Sequence, residues 1–502
     1  MSSDSASNSG GSSISAYTRQ MAFPKSHISV NLDNHFSSKI YTSSSPVSGN
    51  VTITTQRDVR FEAIEIVLLG TARTRVDGVS TPQASSHIFL KMIMPVPEST
   101  YPVPRVLENG RTYTIPFNFV IPSYLTINAC GHRVDSEHVR DHHVCLPPTM
   151  GSWEKDDMTP QMATVEYSVK ARVFREPDMP GKLIKVMEAV QEIQVLPTYP
   201  EQAPLSVTKQ DKMYITSKTK SLRKSIISGK TGRLTVSAAQ PGAVILRPDG
   251  KVAANTTAQV DLNFEPVSAE VLPPKVTSMS GKIEAHTFYS SGAITHLPNL
   301  GDWNRSFTID RRGVYNTSVP LFSRTFDKLP WAQQLTAQVR RDSGYGSDSP
   351  GAQSDVERSS AERSRRRESN GGGKQMKARR STPSPSPIYH TTTVQVPIGV
   401  PTDRKTFIPS FHACIVSRVY TLVLAVTVSF GSTTSTVTLR LPLQVAVEPA
   451  PTAAPPDNEL PSFETAVQEA ELDEFLRPRL LSVPDVQFHR GTLPGYPPAP
   501  AR

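Results

Sequence analysis

Cysteine is scarce in this sequence. Three occur in 502 residues (Cys130, Cys145 and Cys414), and none form a CxxC pair. An odd, sparse set argues against a disulfide framework and for a reducing compartment. Long apolar runs are lacking as well. A membrane span needs roughly 18 uninterrupted apolar residues. The most apolar stretch, Ile415–Phe430, is broken by Arg418, Thr421 and Thr427. The opening residues, MSSDSASNSGGSSIS, lack the apolar centre of a signal peptide. The expectation is a cytoplasmic chain, neither secreted nor membrane-spanning. Catalytic signatures are missing too: there is no GxSxG elbow, no phosphate-cradling GxxxxGKS/T and no GxGxxG after a strand. No enzyme is expected.

What is present is charge, unevenly placed. Lys and Arg number 54 against 45 Asp and Glu, a net of +9. From Gln338 to Arg380, eleven basic and six acidic residues give +5, more than half of that excess. Large apolar side chains are almost absent there, so burial cannot offset the entropy of ordering and disorder is expected. The stretch also lacks the interleaved aromatics on which bases stack, so nucleic acid is not an expected partner. The segment from Pro451 to Arg502 inverts the balance, with eight acidic and four basic residues among many prolines.

Period-two alternation dominates the rest. Tyr113, Ile115, Phe117, Phe119 and Ile121 form one such run, and Val165, Tyr167, Val169, Ala171 and Val173 another. Ile64, Ile66 and Leu68 add a third. A second group contains Leu234 and Val236, then Val260, Leu262 and Phe264. Tyr420 to Val428 and Val437 to Val447 close it, each with apolar residues at every second position. Successive strand side chains point to opposite faces, so each run offers one apolar face to a core. Short runs between Gly, Pro and Asn turns, without intervening amphipathic helices, predict an all-β fold of two sandwiches in tandem. The predicted organisation is a disordered N-terminus (1–20), a first sandwich (21–203), a second (204–449) with a disordered insertion at about 338–388, and an acidic Pro-rich tail (450–502). The Pro-rich Leu196–Pro204 stretch is suited to a linker. Closing even a long insertion costs only about 0.6 kcal/mol per doubling. The strands after Tyr389 should therefore complete the second sandwich.

Several segments, in order, resemble the fungal alpha-arrestins. They are YTSSSPVSGNVTI (Tyr41–Ile53), FEAIEIVLLGTARTRV (Phe61–Val76), YTIPFNFVIP (Tyr113–Pro122), LPPTMG (Leu146–Gly151) and DDMTPQMATVEYSVKARV (Asp156–Val173). FIPSFHACIVSRVYTLVLAV (Phe407–Val426) is similar to the late strands of an arrestin C-terminal domain. The resemblance implies a non-catalytic adaptor without cofactor. Such an adaptor brings a HECT-type ubiquitin ligase to the cytosolic tails of plasma-membrane transporters or permeases for ubiquitin-dependent endocytosis. It would be cytoplasmic, associate peripherally with membranes, and be recruited to the plasma membrane and endosomes. An arrestin-type signalling or endosomal-sorting scaffold without ligase contact is the alternative within the fold.

Ligase recruitment needs a handle for WW domains, usually PPxY or its variant LPxY. Proline pre-sets an extended backbone, and the tyrosine ring fills a pocket at little entropy cost. The chain has no PPxY. LPxY occurs at Leu493, Pro494 and Tyr496 and at Leu196, Pro197 and Tyr199, with a looser match at Pro387-Ile388-Tyr389. The first lies in the Pro-rich tail and is preferred; the second follows a strand and is expected to pack at the hinge. Leu460, Pro461 and Phe463 form a degenerate tail motif in which the missing hydroxyl forfeits about 0.5–1.5 kcal/mol.

Ser343 and Ser369 follow paired arginines, and Thr382 and Ser384 precede prolines. All four are candidate phosphorylation sites, and a phosphate there could dock a 14-3-3-type protein. Lys39, Arg57, Arg60, Arg73 and Arg75 form a candidate basic patch for acidic tails or the anionic inner leaflet. The rival reading is a zinc-dependent enzyme built on Cys130, His132, His138, His142, His143 and Cys145. Zinc needs four convergent N or S donors, and His138 and His142 have the helical HxxxH offset. The segment lies between strands, however, and Val139 stands where HExxH requires its base. A structural loop is therefore expected and no metal is assigned. Similar Cys and His residues in the fungal family fit that expectation.

Overall fold

The computed structural model describes residues 27–77, 81–177, 181–208, 211–225, 227–303, 311–335 and 388–450. The first half carries strands β1 (His27–Leu32), β2 (Ile40–Tyr41), β3 (Pro46–Thr54), β4 (Val59–Arg60) and β5 (Ala63–Val76). They are followed by β6 (Gln83–Met94), β7 (Val106–Leu107), β8 (Thr112–Val120), helix α1 (Glu137–His143), β9 (Ala163–Arg175) and β10 (Ile184–Val195). The second half begins with β11 (Ser217–Leu222), β12 (Gly232–Ala238), β13 (Val244–Leu246), β14 (Thr256–Pro266) and β15 (Lys275–Ser290). After the short helix α2 (Leu300–Trp303) come β16 (Arg312–Thr325), β17 (Ala332–Leu335) and β18 (Ile388–Ile398). The last strands are β19 (Phe411–His412), β20 (Val416–Phe430), β21 (Thr433–Leu443) and β22 (Val445–Val447). The fold is all-β.

Alternation becomes burial as expected. In β3 the residues Val47, Gly49, Val51 and Ile53 point inward, and in β8 Ile115, Phe117 and Phe119 answer them. A three-stranded sheet, β1-β3-β8, and a five-stranded sheet, β2-β10-β9-β5-β6, enclose the first core between them. A second core lies between the sheet β11-β12-β14-β18-β17 and the sheet formed by β16, β15, β20 and β21. Strand β18, beyond the insertion, pairs antiparallel with β14, matching Val260 to Val394 and Leu262 to Thr392. The hairpin joining β20 to β21 turns at Gly431, whose positive φ of 63° and close approach to the Lys224 carbonyl leave no room for a Cβ.

The two cores share residues across their seam. Ile408, Phe411, Cys414, Ile415 and Val416 from the second half belong to the first core, while Met158 and Leu196 from the first half belong to the second. The Leu196–Pro204 linker is held on both sides. Leu196 N–H donates to the Tyr41 carbonyl, and Tyr199 exchanges both backbone hydrogen bonds with Val447. Among the described residues, no helix is long and apolar enough to cross a membrane.

Candidate functional site

The seam is built around one buried cation. Arg418, at the start of β20, is fully buried. Its guanidinium donates to the Asp157 carbonyl (2.9 Å), the Met158 carbonyl (3.2 Å), Thr159 Oγ1 (2.8 Å) and, on its own side, Thr287 Oγ1 (3.0 Å). A buried charge is tolerated only when its donors are met, and here the partners come from both halves. The 156–159 loop is itself fixed by Asp157, whose carboxylate accepts from Gly151 N–H (2.7 Å) and Thr159 N–H (3.1 Å). Beside it, Lys405 pairs with Asp156 and holds that carboxyl below its usual range. The arginine that interrupted the apolar run is thus a cross-seam anchor.

The Cys/His segment divides into two clusters. It contains a helix the sequence did not announce, α1, capped by Ser136 Oγ accepting from Val139 N–H. Cys130, His132 and His143 converge with Cys414, which arrives from the turn between β19 and β20. The four ligand-type atoms lie within 4.8 Å of one another, with Cys130, His143 and Cys414 buried and His132 half-buried. Cys130 Sγ is 3.5 Å from His132 Nε2 and 3.5 Å from His143 Nδ1. Burial, reinforced by neighbouring histidines and Arg140, lowers the His143 pKa to about 4. Burial and the adjacent Cys130 sulfur push the Cys414 thiol up to about 12. His138 and His142 stack edge-on 4.6 Å apart, and His142 on His412 at 5.2 Å, as a separate ring stack. Cys145 points elsewhere, its Sγ donating to the Asp141 carbonyl at 3.3 Å. The segment's donors therefore do not converge as one set, and the fourth member of the group that does, Cys414, was not among the candidates.

The tyrosine handles have different fates. Tyr199 is only 5% exposed and Leu196 and Pro197 are buried, so WW docking there would require the linker to be pulled out. Tyr389 lies in β18 and its hydroxyl donates to Gln334 Oε1. Leu493, Pro494, Tyr496, Leu460, Pro461, Phe463, Ser343, Ser369, Thr382 and Ser384 lie outside the described residues.

The basic residues do not form one patch. Arg73 and Arg75 stand near the end of β5, paired with Glu166 and Asp77. Arg57 and Arg60 precede the other end of β5, a strand of fourteen residues that has Arg73 and Arg75 near its far end. Lys39 sits beyond the opposite edge of the sheet, its ammonium 4.8 Å from the Tyr41 ring centroid.

A different surface is continuous. In the five-stranded sheet, β6 has a hydrogen-bonded neighbour on one side only among the described residues. Its ladder with β5 shifts register between Gly70 and Thr71, so Thr71 faces Ile88 while Gly70 faces Leu90. The bulge reverses the alternation and puts Ile88, Lys91 and Ile93 together on the outer face, opposite Thr71, Leu69 and Val67. Ile88 and Ile93 are each 56% exposed. Alternation along the chain does not reveal this surface, because the bulge hides the face to which each residue belongs. Compared with known proteins, the chain matches no family model and no curated sequence.

Proposed function

We propose that this chain is a non-enzymatic, alpha-arrestin-like adaptor of the cytoplasm. Its strand-built body would hold a cytosolic tail of a membrane transporter, and its C-terminal segment a HECT-type ubiquitin ligase, for ubiquitin-dependent endocytosis at the plasma membrane and endosomes. The observation that carries the reading is the edge strand β6, with twelve residues, no proline and two exposed isoleucines on one face. Such an edge can accept an extended peptide as a further strand, with backbone hydrogen bonds giving affinity and side chains selectivity. The resemblance of the first-half segments to the fungal family supports the same reading.

Burial of Tyr199 and the place of Tyr389 within β18 support Leu493-Pro494-Gly495-Tyr496 as the preferred handle for a WW domain, with Leu460-Pro461-Phe463 as the degenerate one. That narrowing also favours the second reading, an arrestin-type signalling or sorting scaffold that never touches a ligase. Calorimetric titration of purified WW domains into the full chain separates the two. The adaptor reading expects binding that disappears in Pro494→Ala with Tyr496→Ala; absence of binding by the unaltered chain selects the scaffold. Phosphorylation at Ser343, Ser369, Thr382 or Ser384, with 14-3-3-type docking, would be its control.

A further inference from the structure

We propose that Cys130, His132, His143 and Cys414 bind a structural zinc ion that ties the α1 segment to the turn between β19 and β20. The donor set suits that ion: two thiolates and two imidazoles around one centre are the tetrahedral chemistry of zinc, whereas calcium and magnesium take oxygen ligands. The spacing suits it as well. Bonds of about 2.3 Å to sulfur and about 2.0–2.1 Å to nitrogen at tetrahedral angles place S and N roughly 3.5 Å apart. Cys130 Sγ stands 3.5 Å from both His132 Nε2 and His143 Nδ1.

Two features of the imidazoles are accounted for by a ligand role. His132 Nδ1 lies 2.9 Å from the Arg133 carbonyl, which only accepts, so this nitrogen carries the hydrogen. That tautomer leaves a lone pair on Nε2, the atom facing Cys130, and is the orientation a backbone carbonyl gives to metal-bound histidines. His143 is almost fully buried, yet its Nε2 has no hydrogen-bond partner among the described residues and its Nδ1 meets only the Cys130 sulfur. A metal bond at Nδ1 would give that nitrogen the partner it lacks and leave the hydrogen on Nε2, which stays unpaired among the described residues. Charge closes the argument. Zn²⁺ with two thiolates and two neutral imidazoles has no net charge, which fits a site whose Cys130 and Cys414 belong to the first hydrophobic core. Binding would release a proton from each thiol.

All four positions of the tetrahedron are filled by side chains, so the ion would be a fastener without an open site for catalysis. It would join residues 284 positions apart in the chain, on the two sides of the seam crossed by Arg418.

The test uses the full chain, purified reduced and without chelator, and metal-stripped protein refilled with Zn²⁺ or Co²⁺ alone. Elemental analysis should give one zinc per chain. Cobalt-loaded protein should show the intense visible bands of tetrahedral coordination and a thiolate charge-transfer band. Chelation should lower the unfolding midpoint by several degrees. Cys130→Ser and Cys414→Ser should each lower zinc occupancy at least tenfold, while Cys145→Ser and His138→Ala keep it. Circular dichroism identifies any variant that does not fold, and Cys414→His, which restores a nitrogen donor, then serves in its place and should retain cobalt with a weaker charge-transfer band. The proposal is overturned by wild-type protein without zinc that takes up none on refilling, by a six-coordinate cobalt spectrum, by occupancy indifferent to Cys414, or by a Cys130–Cys414 disulfide in freshly purified protein.

Discussion

Arg418 is a buried side chain whose hydrogen bonds join the two halves of the described body. Its donors satisfy two buried carbonyls of the 156–159 loop, and an unsatisfied buried acceptor costs about 1–3 kcal/mol. Arg418→Met should therefore lose about 3 kcal/mol or more in a denaturant titration, whereas a loss under 1 kcal/mol would remove the anchor from this account. His286 offers a different residue-scale test. It lies inside β15 with Nδ1 2.6 Å from Asn316 Oδ1 and Nε2 3.0 Å from Thr421 Oγ1, and burial lowers its pKa. Glu284 opposes that shift, while Arg440 and Arg418 add to it. The folded state thus keeps this ring neutral where the unfolded chain, titrating near 6.5, binds a proton. Its contribution is complete above about pH 6.5 and is lost as pH falls toward the lowered folded value. Unfolding midpoints measured across that window should fall with acidification, and less steeply in His286→Asn; an unchanged slope would place the dependence on other histidines.

At the scale of elements, the edge strand β6 makes the sharpest prediction. Ile88 and Ile93 project from its outer face, so replacing both with lysine should alter stability by no more than about 0.5 kcal/mol each. Affinity for an extended transporter tail should nevertheless drop at least tenfold, about 1.4 kcal/mol, in a fluorescence-anisotropy titration. Equal affinity would move the receiving edge elsewhere. This strand also marks where the sequence stops being legible. Regular alternation announced β8, β9, β12, β14 and β21, because each has one face on a core and one outward. A one-residue bulge erased that signal in β6. Helix α1 spans seven residues, too short for a helical period to register. The Cys/His candidates were visible as residue types, but Cys414 joins them from far along the chain, and only folding reveals such a partner. Arg418 was read as a break in an apolar run when it is part of what the run buries.

On the scale of the whole molecule, the described body up to Ala450 behaves as one compact unit whose two cores exchange residues across the seam. Hydrophobic contacts, Arg418 and the pinned linker all cross that boundary, so a tail held on β6 would rest on a braced platform. Bridging is the central functional claim, and it can be measured without cells. Immobilised WW domains of a HECT-type ligase are mixed with a labelled transporter tail, with and without the full chain. The account predicts that the tail is retained only when the chain is present, and that Pro494→Ala with Tyr496→Ala abolishes the retention. A chain that binds the WW domains yet carries no tail with it, or retention indifferent to those substitutions, would contradict the account.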